Sequence, residues 1–372
     1  MSRPGDVTGA GARRAGGEAV REGVRQLGPI VAALLVGAII LAILGRNPLA
    51  FYSDLFRAGL VSSNGWQAML TRLAPLLLIS MGYIVAFRAG LWNIGGDGQF
   101  LLAAAFVAGL SPAVMGALPR AGGLIVLGLV GFVVGGAWTL LSSYLRAWFG
   151  VNEIITTVMM SFIGINLANL LIKGPWRSAE TTVPQTDPVP LKELLPHLGG
   201  TTIHVGIVLA AAAVIVVWYV LDHTSAGIRL TVLGANPRAA LHAGLKVRRL
   251  IMTTFFFSGA FIGLAAAVEI LGVWGYMRAD WNPKFGLALF ALVFLARLRP
   301  GAIVPLAAFY AILEIGGHEA ARKASLDYDF VIFLIGLILL FMAVSLYFRL
   351  PAEQRAGHLK RVGARLHSRR AP

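Results

Sequence analysis

Between Phe87 and Gln99 the chain reads FRAGLWNIGGDGQ, which sets glycines, an asparagine, an aspartate and a glutamine between two long apolar segments. Burying such backbone is costly. At bilayer depth no water satisfies freed N–H and C=O groups, so a break of this kind survives only where protein or a water-filled cavity covers it. Interrupted segments are also where transporters place substrate sites and gates. A polar loop at the cytoplasmic surface accounts for the same spacing, and both readings stand at this point.

Other residues able to do chemistry are few. Arg72, Glu269 and Glu314 fall inside apolar segments, where charges face a bundle interior or a cavity and are candidates for function. Arg72 and Glu314 lie within about two turns of a helix end, so snorkelling to the interface also explains them. Glu269, in GLAAAVEILG, either lines a pathway or belongs to a structural pair. Glu153, in GVNEIITTVMM, follows Asn152 at a predicted helix start and suits the positive end of the helix dipole. Capping alone explains that pair.

The sequence has no GxxxxGK[ST] phosphate loop, no HExxH and no His/Asp/Glu cluster with metal spacing. The chain is therefore not expected to hydrolyse ATP, to bind a metal or cofactor, or to be an enzyme. Of seven histidines only His204 touches an apolar segment, which leaves a bis-histidine haem unsupported. Cysteine is absent, excluding disulfides, thiolate metal sites and cysteine nucleophiles.

The elements that must position these residues are apolar. Hydrophobic residues make up 57% of the 372 and charged ones 13%, with a mean hydropathy of +0.76, against roughly 25% charged in soluble domains. The predicted fold is all-α: a polytopic membrane helical bundle of about ten transmembrane helices, broken or re-entrant near 88–98. The apolar segments are 27–45, 66–87, 98–118, 121–145, 151–172, 203–221, 251–272, 285–296, 301–316 and 330–348. A 19-residue helix rises about 28 Å, close to the ~30 Å hydrocarbon core. Segment 285–296 is short for a full crossing and reads as a tilted or broken helix, or as half of a re-entrant hairpin with 301–316.

With both termini inside, the inner segments hold 21 of the 32 Lys/Arg and the outer loops ten, which satisfies the positive-inside rule. The net charge of +15 is thus read as topology and not as nucleic-acid binding, for which no motif is present. Residues 1–26 read as a disordered cytoplasmic leader, 27–348 as the transmembrane domain and 349–372 as a basic cytoplasmic tail along the anionic leaflet. The first apolar run exceeds a signal-peptide core and shows no convincing cleavage site, so it is expected to remain as a helix. The outer connection 173–202 is long enough to meet an external partner. In the inner connection 222–250, Asn236-Pro237 reads as a helix start, with two turns from Arg238 to Ala243 ended by Gly244. Such a short helix invites docking by another protein, or is an ordinary surface helix. Small residues in 101–137 and 258–268 read as close helix packing.

Four ordered motifs carry a resemblance: FRAGLWNIGGDGQ, VNEIITTVMMSFIGINLANLLIKGP, HTSAGIRLTVLGANPRAALHAGLKV and SGAFIGLAAAVEILG. Over about 66–345 the chain resembles the membrane permease subunit of ATP-binding-cassette importers for simple sugars and nucleosides, most of all the nucleoside-type branch. The resemblance implies dimerisation with a second permease, the same or related, on ATPase subunits that carry ATP and Mg. An extracytoplasmic binding protein would deliver the substrate, and the bacterial inner membrane would house the assembly. Asn93, Gly95, Asp97, Gly98 and Gln99 match the family's NIG-acidic-GQ motif, with aspartate where glutamate is commoner. Asn152 and Glu153 match its asparagine-glutamate pair. Gly234, Asn236, Pro237, Ala239, Ala240 and Gly244, with Arg238 between them, match its ATPase-coupling loop.

The chain departs from the family where GLALFALVFLARLRP puts Ala288 and Leu289 in place of a polar residue and a glycine, and where Ile335 replaces a glutamine. If these positions line the path, the substrate is less polar or differently shaped than a nucleoside. The expected activity is inward translocation of a small polar solute powered by a partner ATPase. Asn93 to Gln99 and Asn152 are the expected pathway residues. The rival reading, an ion-coupled secondary transporter, needs a charged or carbonyl-rich midplane, and the midplane here is nearly free of carboxylates.

Overall fold

The computed structural model describes residues 28–327 and 329–348; the expected leader and basic tail lie outside them. The described chain is helical with no strand, and the ten apolar segments fall on helix, 121–145 on two consecutive ones. Seven helices are long and apolar enough to cross a membrane; three further apolar helical stretches, Gly28–Ile43, Phe285–Leu295 and Asp329–Ser345, are shorter. The chain divides into two compact units, 56–316 and a smaller one pairing the described residues up to 55 with those from 317.

The larger unit is built around two helices. Helix α3 (Ser63–Arg88) has 83% of its apolar window buried, whereas α7 (Glu153–Lys173) has only 17%. An apolar helix that is buried all round sits at the core of a bundle. One that leaves Ile155, Phe162, Ile163 and Leu170 exposed, as α7 does, presents them to lipid or to another apolar chain. The second central helix, α11 (Val247–Glu269), packs on α3, α4 (Gly96–Ala117), α5 (Arg120–Trp138) and α6 (Leu140–Phe149). Its Gly263 carbonyl approaches Gly131 of α5 so closely that a Cβ there would lie 2.6 Å away. Small residues four apart on both helices, Gly131/Gly135 and Gly259/Gly263, allow that approach, as the small-residue pattern predicts. Helix α8 (Gly206–His223) lies against α3.

At 26 residues α3 is about 39 Å long, enough to cross with a tilt, while the 11 residues of α12 (Phe285–Leu295) reach only about 16 Å. Arg297 and Leu298 follow with φ of +54° and +56°, and α13 (Pro300–Lys323) then begins. The short segment is therefore a complete short helix closed by a tight turn.

In the smaller unit, α1 (Gly28–Ile43) and α2 (Pro48–Phe56) meet α14 (Asp329–Phe348) and the end of α13. The Tyr52 hydroxyl donates to the Leu34 carbonyl at 2.7 Å, Phe51 packs edge-on against Phe330, and Lys323 pairs with Asp54 at 2.7 Å. Helix α2 falls in the connection between the apolar segments 27–45 and 66–87.

Candidate functional site: a buried break, a capped helix and an ion cluster

The break after α3 is buried. Gly90 turns the chain with a φ of +67°, and the irregular backbone runs to Gly95, where α4 begins. Asn93, Gln99 and Ser258 of α11 are all buried, and Asn93 bonds to both of the others. Asn93 Nδ2 donates to Gln99 Oε1 at 3.1 Å and to Ser258 Oγ at 2.9 Å, and Gln99 Nε2 donates back to Asn93 Oδ1 at 2.7 Å. Both amide hydrogens and the oxygen of Asn93 are thus occupied by protein. The freed backbone is satisfied too: Ile94 N donates to Thr157 Oγ1 at 3.2 Å and Gly98 N to Ser161 Oγ at 2.9 Å. Thr157 and Ser161 stand one turn apart on α7, a spacing that puts both on one face. Asp97 accepts the Gly286 N–H at the start of α12 with a distance of 2.8 Å. Phe87 and Trp92 complete the cover against Phe290 and Phe294 of α12, with centroids 5.0–6.0 Å apart.

Of the other expected site residues, Asn152 caps α7, its Oδ1 accepting from Ile154 N at 2.9 Å, and is exposed. Glu153 is buried and pairs with Arg146 at 3.2 Å. Leu289 and Ile335, two of the departures from the family pattern, are buried packing side chains, while Ala288 is only partly covered.

The connection after α8 forms α9 (Ser225–Ala235) and then α10 (Pro237–His242). Asn236 Oδ1 accepts from Arg238 N at 3.0 Å and Ala239 N at 3.2 Å, Pro237 occupies the first turn, and Gly244 ends the helix region at a φ of +76°. Each signal read from the sequence takes its expected place. Arg238, Ala239 and Leu241 are exposed on α10, and Ala240 is fully buried beneath it.

The structure brings this connection onto the break. A Cβ on Gly234 would lie 2.6 Å from the Arg88 carbonyl, and one on Gly90 would lie 2.9 Å from Gly234 Cα, so the two backbones touch. Arg88 binds the same junction together: Nη2 pairs with Asp222 at 2.6 Å and Nη1 donates to the Leu298 carbonyl at 3.3 Å. One side chain therefore joins the ends of α3 and α8 to the turn between α12 and α13. Sequence reasoning missed it, because an arginine closing a helix reads as a dipole partner.

About 24 Å along α3 from Arg88 stands a second cluster, around Arg72 of the same helix. Arg72 Nη1 meets Glu269 at 2.7 Å and its Nε meets Glu314 at 3.4 Å; Trp274 Nε1 also donates to Glu269, at 3.0 Å. Both carboxylates are buried, and Arg72 stacks over the Phe285 ring. The snorkelling explanation for Arg72 and Glu314 gives way to mutual pairing, the cheaper arrangement for buried charges. The 173–202 connection folds over this end: Thr186, Val189 and Leu195 donate backbone hydrogen bonds to Met277, Gly275 and Leu271 at 2.8–3.0 Å. Close by, His204 is buried with Nδ1 accepting from Gly206 N at 3.1 Å. Burial, with His197 adding a smaller effect, lowers its pKa to about 4. Among the described residues no group of three or more potential ligands could hold a metal.

A polytopic helical bundle with a buried polar break and a capped extramembrane helix is the frame of a transport permease. The family model described as branched-chain amino acid transport system / permease component matches residues 66–343, and the chain belongs to this family. A glucose ABC transporter permease protein of Haloferax volcanii is 31% identical, covering 86% of this chain and 87% of its own length. A guanosine ABC transporter permease protein of Bacillus subtilis is 28% identical over 90% and 96% of the two chains, and a nucleoside ABC transporter permease protein of Lactococcus lactis is 26% identical over 77% and 81%. The chain is an ABC importer permease subunit and not an enzyme; ATPase activity lies in a separate subunit.

Proposed function

We propose that this permease carries a nucleoside or simple sugar inward through about ten crossings of a bacterial inner membrane, with both termini cytoplasmic. Relatives named for guanosine, nucleosides and glucose support the substrate class. Two ATPase subunits holding ATP and Mg, a second permease and an extracytoplasmic binding protein complete the assembly. In this reading α10 seats in the ATPase. The observation that carries it is the contact of Gly234 with the Arg88–Gly90 turn, which gives a displacement of α10 a direct route to the break at Asn93–Gln99.

The route works as a lever. ATPase closure moves the exposed Ala239 and Leu241, Gly234 pushes on the turn, and the bonds of Asn93 to Gln99 and Ser258 exchange for others. Directional transport then requires substrate to bind the two arrangements unequally, because equal affinity shifts no population. Asn93, Gly95, Asp97, Gly98, Gln99 and, at the α7 start, Asn152 line or gate the path. Purifying the tagged chain from its native membrane in mild detergent, with mass spectrometry of what accompanies it, tests the assembly. A stoichiometric ATPase is expected; a reproducibly solitary chain would contradict the reading.

A further inference from the structure

A cavity of about 310 Å³ opens between α3, α8, α9 and α11 beside the α9–α10 connection. Val85, Val217, Leu221, Leu230 and Phe261 are among the apolar side chains that line it, and the exposed Val216 and Phe257 carry that lining out to the surface of α8 and α11. Its volume matches about ten waters, but so apolar a wall offers them few partners. Three polar side chains interrupt it, of which Thr253 is already spent on its own helix, donating to the Arg249 carbonyl at 2.9 Å. Thr254, only 2% exposed, keeps a hydroxyl with no hydrogen-bond partner, and buried polar groups of that kind are costly unless something completes them. Arg229, exposed on α9, borders the same cavity.

The surrounding charge has one sign. Arg229, Arg238, Lys246, Arg248 and Arg249 lie in 222–250 with Asp222 as the sole acid, and Asp222 is taken by Arg88. None of those five basic residues makes an ion pair among the described residues. An apolar slot on a membrane-facing surface, ending in unneutralised cations, suits an amphiphile with a negative head.

We infer that this cavity binds an anionic phospholipid: an acyl chain fills the slot, an ester oxygen accepts from the Thr254 hydroxyl, and the phosphate meets Arg229. Because α8, α9 and α11 all wall the cavity, a bound lipid braces the helices that hold the proposed coupling connection. The site depends on α8 and α11 standing in a bilayer, not on the identity of the transported solute or on docking of α10.

The test is native mass spectrometry of the full chain released from vesicles of dioleoylphosphatidylglycerol and dioleoylphosphatidylcholine in equal amounts. Wild type is expected to retain the anionic phosphatidylglycerol preferentially. Arg229→Gln should cut that preference about fivefold, the value of one basic residue near such a head group. Thr253→Phe, at an exposed lining position, should displace retained lipid of either kind while the protein stays monodisperse. Equal retention of both lipids by wild type would overturn the proposal. So would an unchanged preference in folded Arg229→Gln, undiminished lipid retention by folded Thr253→Phe, or a second copy of the chain at this face with no lipid bound. Because binding is read without ATPase or solute, failure here leaves the importer reading standing, and failure of that reading leaves this result interpretable.

Discussion

Asn93 and Gln99 answer each other through two amide hydrogen bonds, and Ser258 holds the pair from a helix 165 residues away. Removing one member of a buried set leaves the others unsatisfied, at a cost of about 1–3 kcal/mol per orphaned group. Asn93→Leu and Gln99→Leu should each lower the midpoint of thermal unfolding in detergent, and the double variant should lose less than the sum. Strict additivity would show that the two side chains do not act as a unit. The polar character and spacing of the motif were plain in the sequence, but the partners Ser258, Thr157 and Ser161 were not. A serine among small residues reads as helix packing, and only the tertiary arrangement turns it toward the break. Arg72, Glu269 and Glu314 show the same limit: each lies in a different helix, so their mutual pairing was invisible. Arg72→Leu should cost about 3–5 kcal/mol, since it leaves two buried carboxylates without the cation that pairs them, read as lower thermal stability of the purified chain. His204 gives a pH signature. Its folded pKa of about 4 lies below the ordinary value of 6.5, so the unfolded chain binds the extra proton between those values. Stability should therefore be complete above about pH 6.5 and fall toward pH 4, by about 3 kcal/mol for a shift of this size. His204→Gln should flatten that part of the stability profile, and an unchanged slope would assign it to other groups.

Helix α10 was legible almost residue by residue, because capping is local: Asn236, Pro237 and Gly244 act within a few positions of themselves. The α9 helix, the α2 helix and the folding of 173–202 over the end of α11 were not, since each depends on contacts made far along the chain. The structure also separates two neighbours that looked equivalent. Ala240 is buried, so enlarging it disturbs the connection itself, whereas Ala239 and Leu241 are exposed. Ala239→Glu with Leu241→Glu should therefore block ATPase binding by roughly 2 kcal/mol or more, about thirtyfold, while membrane insertion is retained. Wild-type uptake by that variant would remove α10 from the coupling route. At the α5–α11 crossing, where Gly131 and Gly263 touch, Gly135→Leu should force the helices apart. The expected readout is loss of a monodisperse peak in detergent.

At the scale of the molecule, the ten apolar segments all became helices because hydropathy over such lengths dominates local preference. The division into two units was not readable, as it follows from which helices pack together. The buried break, the α10 connection that touches it and the family's permease architecture support one account, in which ATP hydrolysed on a partner drives solute past this chain. Reconstituting the chain with its co-purified partners in proteoliposomes, with ATP supplied only on the α10 side, tests that account most directly. The account predicts accumulation of labelled nucleoside or glucose toward the ATP side, dependent on the binding protein and insensitive to collapse of proton and sodium gradients. Uptake that persists without ATP and disappears with those gradients would contradict it.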